Sequence, residues 1–322
     1  MKTIITISSV LLLSFTAVKA QNKYDIKTAK TYAEISVKTD GKWENRKYIG
    51  GTTFKNVDKL KLAPEHTDHS FDIRYEGPGW ENNRIGYRMY LDWRNAIDIF
   101  GKKTSSIILP QVGQDNFDSY HEMSDWGADI LKAGKGIGIG SIDRYLNNQR
   151  LHFYEVDSTI AKVSNSPKES KVKIDYYGWK TASDKIDFIS ELTIKPDQLY
   201  TKHTIKASKE IQGICTGIVK QKNTELFKKE SKNKKWAYIA TYGVQSLVPD
   251  KLGMAIFYEV NAVETLVDTD LDHLIVFKPS TKSNSFYLLG AWEQEKDGIK
   301  SQVEFVKYLD QKLLELNKKG KI

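Results

Sequence analysis

Residues 84–94 read RIGYRMYLDWR and alternate between two kinds of side chain. The odd positions are apolar or aromatic: Ile85, Tyr87, Met89, Leu91 and Trp93. Apart from a glycine at position 86, the even positions are polar or charged: Arg84, Arg88, Tyr90, Asp92 and Arg94. Because successive side chains of a strand point to opposite faces, the pattern predicts a β-strand. One face enters a core, and the other presents three guanidiniums and a phenol.

The rest of the chain also predicts strands, with one helix at the end. Short alternating or apolar runs recur at 172–176, 186–194, 201–207, 254–260, 273–277 and 286–292, separated by polar loops. Many short strands at this spacing are typical of an antiparallel β-sandwich. Residues 301–319 carry apolar side chains at helical spacing and end in a Lys-rich turn, which predicts an amphipathic helix. We therefore predict an all-β fold, with a single β-sandwich catalytic domain over residues 21–322 and a C-terminal helix.

Three shorter segments give local predictions. Residues 33–37 alternate as a strand does, and a turn is expected at Asp40 and Gly41. Residues 95–101 suggest a loop or a short turn of helix. Residues 124–133 suggest a short helix that begins at Ser124 or Asp125. If Asp125 only caps that helix, its role is structural.

The first twenty residues are typical of a signal peptide. A lysine at position 2 precedes an apolar stretch at 4–18, and Ala20 ends a small-residue cleavage site. This predicts export to the periplasm or the medium. No other apolar run approaches the length of a bilayer span, so we predict no membrane partner.

Charge and cysteine usage limit the partners further. The net charge of +8 includes two leader lysines, and the other lysines are dispersed along the chain. Their densest run, 228–235, also contains Glu, Ser and Asn, which favours a solvated loop over a nucleic-acid-binding stripe. Cys215, the one cysteine of the chain, lies among apolar residues and is expected to be buried. We predict a monomer with no nucleic-acid partner.

Two motifs that suggest bound groups are weak. Residues 133–141 read AGKGIGIGS, which lacks the third glycine of a dinucleotide-binding turn and the Lys-Ser/Thr of a phosphate-binding loop. Close approach of two backbones explains these glycines better, and we predict no cofactor. His66, Asp68 and His69 offer metal-ligand types, but a solvent-exposed loop is the favoured interpretation and we predict no metal. His69 is kept as a candidate substrate-binding residue.

A second cluster of chemically active side chains follows the arginine strand. Residues 119–126 read SYHEMSDW and contain Tyr120, His121, Glu122, Asp125 and Trp126. Groups that bind carboxylates, titratable groups and flat rings are what a protein acting on acidic sugars needs. Trp80 and His203 are two further candidates, and each has an alternative role in the core. Trp80 is either a core anchor or a ring that stacks on a sugar. His203 shares a strand face with Ile205, which favours a buried histidine unless a concave sandwich exposes it in a cleft.

The stretch from 72 to 140, which contains RYEGPGWENNRIGYRMYLDWRNAIDIFGKK and FDSYHEMSDWGADILKAGKGIG, resembles a family of exported proteins. These proteins are encoded among polysaccharide-degradation genes of marine and gut Gram-negative bacteria, and their described member type is an ulvan oligosaccharide dehydratase. The resemblance implies a fold similar to galactose-mutarotase-like β-sandwiches. It also implies elimination of water at the non-reducing-end uronic acid of sulfated oligosaccharides, which leaves a 4,5-unsaturated uronate.

That reaction assigns expected roles to the candidates. The proton at C5 lies beside a carboxylate, so the carboxylate must be neutralised while a base removes the proton and an acid protonates the leaving hydroxide. The expected catalytic residues are His121, Tyr120, Tyr90 and Arg88. The expected substrate-binding residues are Arg84, Arg94, Trp80, Trp126, Glu122, Asp125, His69 and His203, with Glu122 and Asp125 orienting His121. A mutarotase or epimerase of the same fold, or a non-catalytic binder of acidic glycans, is the alternative.

Overall fold

The structure, a computed structural model, describes residues 24–114, 119–222 and 224–322. The predicted signal peptide, residues 1–20, lies outside the described residues. Antiparallel β-sheets dominate the regular structure of the described residues, with one α-helix at the end. The predicted fold class is confirmed. Within the described ranges, no helix is both long enough and apolar enough to span a bilayer.

The strands are numbered in chain order. Their bounds are β1 (Thr31–Glu34), β2 (Ser36–Glu44), β3 (Lys47–Asn56), β4 (Lys59–Lys61), β5 (Gly79–Asn82), β6 (Ile85–Met89), β7 (Ile97–Lys102), β8 (Gly127–Asp129), β9 (Asp143–Leu146), β10 (Gln149–Leu151), β11 (Ser158–Asn165), β12 (Ser170–Thr181), β13 (Asp184–Ile194), β14 (Tyr200–Ala207), β15 (Ile214–Val219), β16 (Leu226–Glu230), β17 (Trp236–Val244), β18 (Lys251–Glu259), β19 (Val263–Asp268), β20 (Asp272–Phe277) and β21 (Asn284–Trp292). The helix α1 spans Gln302–Lys319.

These strands form three larger sheets and one hairpin. The first sheet has the order β1-β5-β6-β7-β8, and the large sheet has the order β16-β17-β18-β21-β14-β13-β12-β11-β4. A third sheet has the order β10-β9-β15-β20-β19, and β2 pairs with β3. The main hydrophobic core takes side chains from the first, large and third sheets. Burying one apolar face of each sheet against the others is how a sandwich removes that surface from water.

The alternation predicted over 84–94 is confirmed in β6, which covers only Ile85–Met89. Trp93, predicted on the core face, lies beyond the strand and is only partly buried. Tyr87 pairs across the first sheet with Trp80 and Ile99, and all three are buried in the main core. The opposite face carries charged side chains, among them Arg88 and Asp98. The later alternating runs are likewise strands of the large sheet, with their apolar positions buried.

The C-terminal helix is confirmed at its predicted position. The Ser301 hydroxyl accepts a hydrogen bond from the backbone N–H of Glu304, which satisfies one donor at the first turn. Gly320 ends the helix in the left-handed conformation. Phe305 and Leu309 bury the apolar side of the helix against the large sheet.

The glycine-rich segment provides the close backbone approach predicted for it. Gly138 has a φ of +69°, and a Cβ there would lie 2.0 Å from the carbonyl oxygen of Ile97. A side chain cannot occupy that space, so glycine allows the segment to pair with the end of β7. Cys215 is buried in β15, as expected.

Three local predictions are wrong. Asp40 and Gly41 do not turn the chain, because they form an irregular step inside β2, and the hairpin reverses at Asn45 and Arg46, both with positive φ. The segment 95–101 contributes most of strand β7, since its alternating residues pair with β6. The helix expected at 124–133 is replaced by a turn and strand β8, so Asp125 caps no helix there. In both cases pairing with a neighbouring strand outweighs the local preference.

The Lys-rich run at 228–235 also departs from a simple loop. Its first part belongs to β16, the edge strand of the large sheet. Lysines on an edge strand discourage pairing with another chain, which gives them a structural role.

Candidate active site

The candidate active site lies on the charged face of the first sheet, across β6, β7 and β8. Arg88 pairs in register with Asp98, and Phe100 pairs with Asp129, so all four side chains share one face. Two segments, 103–114 and 119–126, cover this face. Their apolar residues pack on Phe100, and the backbone N–H groups of residues 108 and 109 donate to the buried carboxylate of Glu81. The charged face is therefore largely enclosed.

Arg88 is the centre of this enclosed face, with only 2% of its surface exposed. Its Nη1 donates to the Tyr120 hydroxyl at 2.9 Å. Its Nη2 donates to the Tyr90 hydroxyl at 2.8 Å and lies 3.1 Å from Asp98 Oδ2 and 2.8 Å from Asp129 Oδ2. One guanidinium thus positions two phenols and two carboxylates, which with His121 we name the Arg88 cluster.

His121 is the member of the Arg88 cluster that reaches solvent, with 29% of its side chain exposed. Its Nε2 lies 3.5 Å from Asp129 Oδ2 and 3.5 Å from Arg88 Nη2. Its ring lies against Tyr120, with 4.4 Å between the ring centroids. A partly exposed imidazole backed by a buried carboxylate is an arrangement suited to moving protons.

Burial changes the protonation of the groups behind His121. It raises the pKa of Asp129 to about 8, and the nearby carboxylate of Asp98 adds to the effect while Arg88 opposes it. Burial also raises the pKa of Asp98. The phenols of Tyr90 and Tyr120 have raised pKa values for the same reason, so both stay neutral near pH 7. Asp129 therefore holds a proton near pH 7 that an exposed aspartate would release to water.

A second group of charges adjoins the first through Tyr90 and Glu76. The guanidinium of Arg94 lies 4.0 Å from the centroid of the Tyr90 ring, whose other neighbour is Arg88 at 4.6 Å. Glu76 Oε1 lies 3.1 Å from Arg94 Nη2, and Glu76 Oε2 lies 3.6 Å from Arg88 Nη1. Asp92 and Asp68 also pair with Arg94.

His69 completes this second group at the surface. Its backbone N–H donates to Glu76 Oε1 at 3.2 Å, and its Nδ1 lies 2.6 Å from Asp68 Oδ1. We name Arg94, Asp92, Glu76, Asp68 and His69 the Arg94 cluster. Its Glu76 has a raised pKa because of burial, which Arg88 and Arg94 partly offset.

Asp68, His69 and Glu76 bring three potential metal-ligand atoms within 4.8 Å of one another. However, the Arg94 guanidinium pairs with the carboxylates of both Asp68 and Glu76. A cation placed there would meet this positive group at close range, so the donor set fits a metal ion poorly.

Comparison with known proteins decides the family. Residues 10–322 match the profile of a family described as a domain of unknown function, DUF4861. The chain belongs to this family. The match supports the family resemblance seen in the sequence, and the description of that family names no function. No curated protein matches the chain.

Among solved structures, the crystal structure of 4-alpha-glucanotransferase from Thermococcus litoralis is similar at 13% identity, with a TM-score of 0.34. The alignment covers 70% of this chain and 40% of the glucanotransferase chain. The match therefore covers less than half of the length of that enzyme.

Arg84 does not belong to the site of this DUF4861 protein. It lies before β6, four residues from Arg88, which is about 13 Å along a strand. Its guanidinium pairs instead with Glu295 Oε1 at 3.1 Å. Its even position predicted that Arg84 would share a face with Arg88. The distance along the chain instead places its guanidinium away from His121, against Glu295.

Trp80 and His203 are structural, contrary to their predicted roles in substrate binding. Trp80 is fully buried, stacks on Tyr87 and donates from Nε1 to Thr201. His203 is fully buried, with Nε2 2.6 Å from the Ser190 hydroxyl and Nδ1 2.8 Å from a backbone carbonyl. Burial lowers its pKa to about 4, so it stays neutral. Both belong to the inner face of a sheet, which removes them from any ligand.

Glu122 and Asp125 are exposed, and the residue that faces the Nε2 of His121 is Asp129. The group in position to orient His121 is therefore the buried carboxylate of Asp129. It lies on β8, two strands from the Arg88 strand β6. Trp126 is partly buried, with its ring edge-on to Phe100, and stays near the covered face.

Sequence reasoning missed Glu76, Asp98 and Asp129 as members of the site. Asp98 carried a usable signal, because it stands between the apolar residues 97 and 99 and so lies on the polar face of a strand. Glu76 carried no comparable signal. It lies in a 3-10 turn, Arg74–Glu76, whose position depends on the rest of the fold.

Proposed function

We propose that this protein is an exported dehydratase that removes water from the non-reducing-end uronic acid of acidic, ulvan-type oligosaccharides. The observation that carries the proposal is the contact of His121 with Asp129 and Arg88 at the edge of a buried charged face. His121 takes the C5 proton in this scheme, because it is the partly exposed titratable member of the Arg88 cluster.

The acid for the departing hydroxide comes from the same cluster. Tyr90 and Tyr120 keep their phenolic protons, and Arg88 holds both hydroxyls in place. Asp129, with a pKa of about 8, also carries a proton near neutral pH and lies beside His121. A general acid or a general base each contributes about 10²–10⁴-fold to a rate. Mutating either group should therefore cause a large loss of turnover.

In this proposal the Arg94 cluster neutralises the substrate carboxylate. Arg88 donates to the Tyr120 and Tyr90 hydroxyls and pairs with two buried aspartates, so it is assigned a positioning role. Arg94 has 13% of its side chain exposed, and His69 lies at the surface beside it. Arg94 already pairs with Asp68, Asp92 and Glu76. Burial raises the pKa of Glu76, so in this proposal Glu76 is the partner that takes up a proton when a substrate carboxylate approaches Arg94.

The test compares wild-type protein with His121→Gln and Arg84→Gln on saturated, uronate-ended acidic oligosaccharides. Ultraviolet absorbance of the unsaturated uronate measures turnover, and thermal melting confirms that each variant is folded. We expect His121→Gln to lose about 10²–10⁴-fold in rate and Arg84→Gln, which lies outside the site, to retain it.

Two results would contradict the proposal. The first is a folded wild-type protein that produces no absorbance with any of these oligosaccharides. Altered C5 or anomeric configuration by NMR, without absorbance, would instead identify an epimerase or mutarotase. The second is a wild-type rate in His121→Gln.

A further inference from the structure

A groove beside the Arg94 cluster has the properties of a separate sugar-binding surface. Its volume is about 430 Å³, within the usual range for ligand pockets of roughly 300–1,000 Å³. Its lining includes Asp92, which pairs with Arg94, and Thr67, the neighbour of Asp68 in the chain. The groove therefore adjoins the cluster to which the uronate is assigned.

An aromatic pair forms one wall of this groove. The rings of Trp93 and Tyr154 are stacked, with centroids 4.9 Å apart and 9° between their planes. Tyr154 is 65% exposed, which is unusual for a large aromatic side chain. A flat exposed ring of this kind matches the apolar face of a pyranose.

The aromatic wall is held in place from behind. His152 packs edge-on against Trp93 at 5.1 Å, and its Nδ1 lies 3.0 Å from Oδ2 of the fully buried Asp143. The backbone N–H of Phe153 donates to the carbonyl of Trp93 at 3.1 Å. Because these contacts fix both rings before a ligand arrives, binding there loses little conformational entropy.

The groove also carries positive charge without a carboxylate counterpart. Arg46 and Lys61 line it, and neither forms an ion pair with a carboxylate of the described ranges. Arg46 donates only to the backbone carbonyls of Glu65 and His66. The carboxylates in the lining are already paired, Asp157 with a lysine at 2.7 Å and Asp92 with Arg94. Two uncompensated cations favour an anionic ligand.

We propose that this groove binds the sugar ring next to the reacting uronate, and that this ring carries a sulfate or carboxylate group. The exposed ring of Tyr154 stacks on the sugar and is supported from behind by Trp93, and Arg46 and Lys61 bind the anionic substituent. The inference rests on the proposed function for the position of the ring, but its test does not need turnover.

Binding is measured by tryptophan fluorescence or calorimetry with three probes: a tetragalacturonide, a digalacturonide and the neutral cellotetraose. The variants are Tyr154→Ala and the double change Arg46→Gln with Lys61→Gln. Their matched controls are Tyr177→Ala, an exposed tyrosine outside the groove, and Lys307→Gln on the exposed side of α1.

We expect wild-type protein to bind the tetragalacturonide and the digalacturonide, which both supply an acidic ring next to the terminal uronate, more tightly than the neutral cellotetraose. Tyr154→Ala should weaken that binding about tenfold, and the double change should weaken it by a similar factor that shrinks in high salt. Equal binding by wild type and Tyr154→Ala, or equal affinity for cellotetraose and tetragalacturonide, would overturn the inference. Intact groove binding without formation of an unsaturated uronate would reject the dehydratase and leave the groove standing.

Discussion

Replacing Arg88 tests the site most directly. Removing a buried arginine from its carboxylate partners should strongly destabilise the fold, whereas removing an exposed arginine should not. Replacing Arg88 with Met keeps most of the side-chain volume while removing the charge. Asp98 and Asp129, both almost fully buried, then lose the guanidinium nitrogen that lies 3.1 and 2.8 Å from them. Removing one partner of a buried ion pair costs about 3–5 kcal/mol in the free energy of unfolding.

The size of this loss should depend on pH. Asp129 has a pKa of about 8 in the folded protein, above its ordinary value of 3.8, so it is protonated and needs no cation at about pH 6. Above about pH 8 it is ionised, and without Arg88 its folded-state pKa rises further. The penalty of Arg88→Met should therefore be larger at about pH 9 than at about pH 6.

The assay is urea unfolding of wild type, Arg88→Met and the control Arg46→Met at both pH values. Arg46 is exposed and bonds only to backbone carbonyls, so its loss should change the free energy of unfolding by about 0.5 kcal/mol or less. If Arg88→Met unfolds with the same free energy as Arg46→Met at about pH 9, the Arg88 cluster does not exist as described.

Three further predictions concern the scaffold. Gly138→Ala should lower the free energy of unfolding by at least about 1–3 kcal/mol, because its φ is positive and a Cβ would meet the Ile97 carbonyl, and chemical denaturation measures this. Ser301→Ala should cost about 1 kcal/mol through loss of the helix cap, and an unchanged melting temperature would contradict this. His203 has a folded-state pKa of about 4, below its ordinary 6.5, so the unfolded chain binds more protons between these values and wild-type stability should fall as pH drops through that window. His203→Gln should flatten that part of the stability curve, and an unaltered slope would show that another group causes it.

The sequence by itself determined the all-β fold class, the C-terminal helix and the two faces of the strand that contains Arg88. The alternation around Arg88 depends only on the two-residue period of an extended backbone, which is a local property. The helical spacing of the apolar side chains at 301–319 is local in the same sense, and it predicted α1 at its observed position. The segments 95–101 and 124–133 were given another structure, because β7 and β8 are short and their pairing comes from neighbours rather than from propensity.

Only the tertiary structure decided which charged groups meet and which of them water can reach. Arg84 and Arg88 look equivalent in the sequence, yet one pairs with Glu295 and the other lies at the centre of a covered cluster. Asp129, not Glu122 or Asp125, lies beside His121, because the pairing of β8 with β7 places it on the face that carries Arg88. Burial and ion pairing depend on chain segments that are distant in sequence, and the cost of removing a charge from water depends on all of them together.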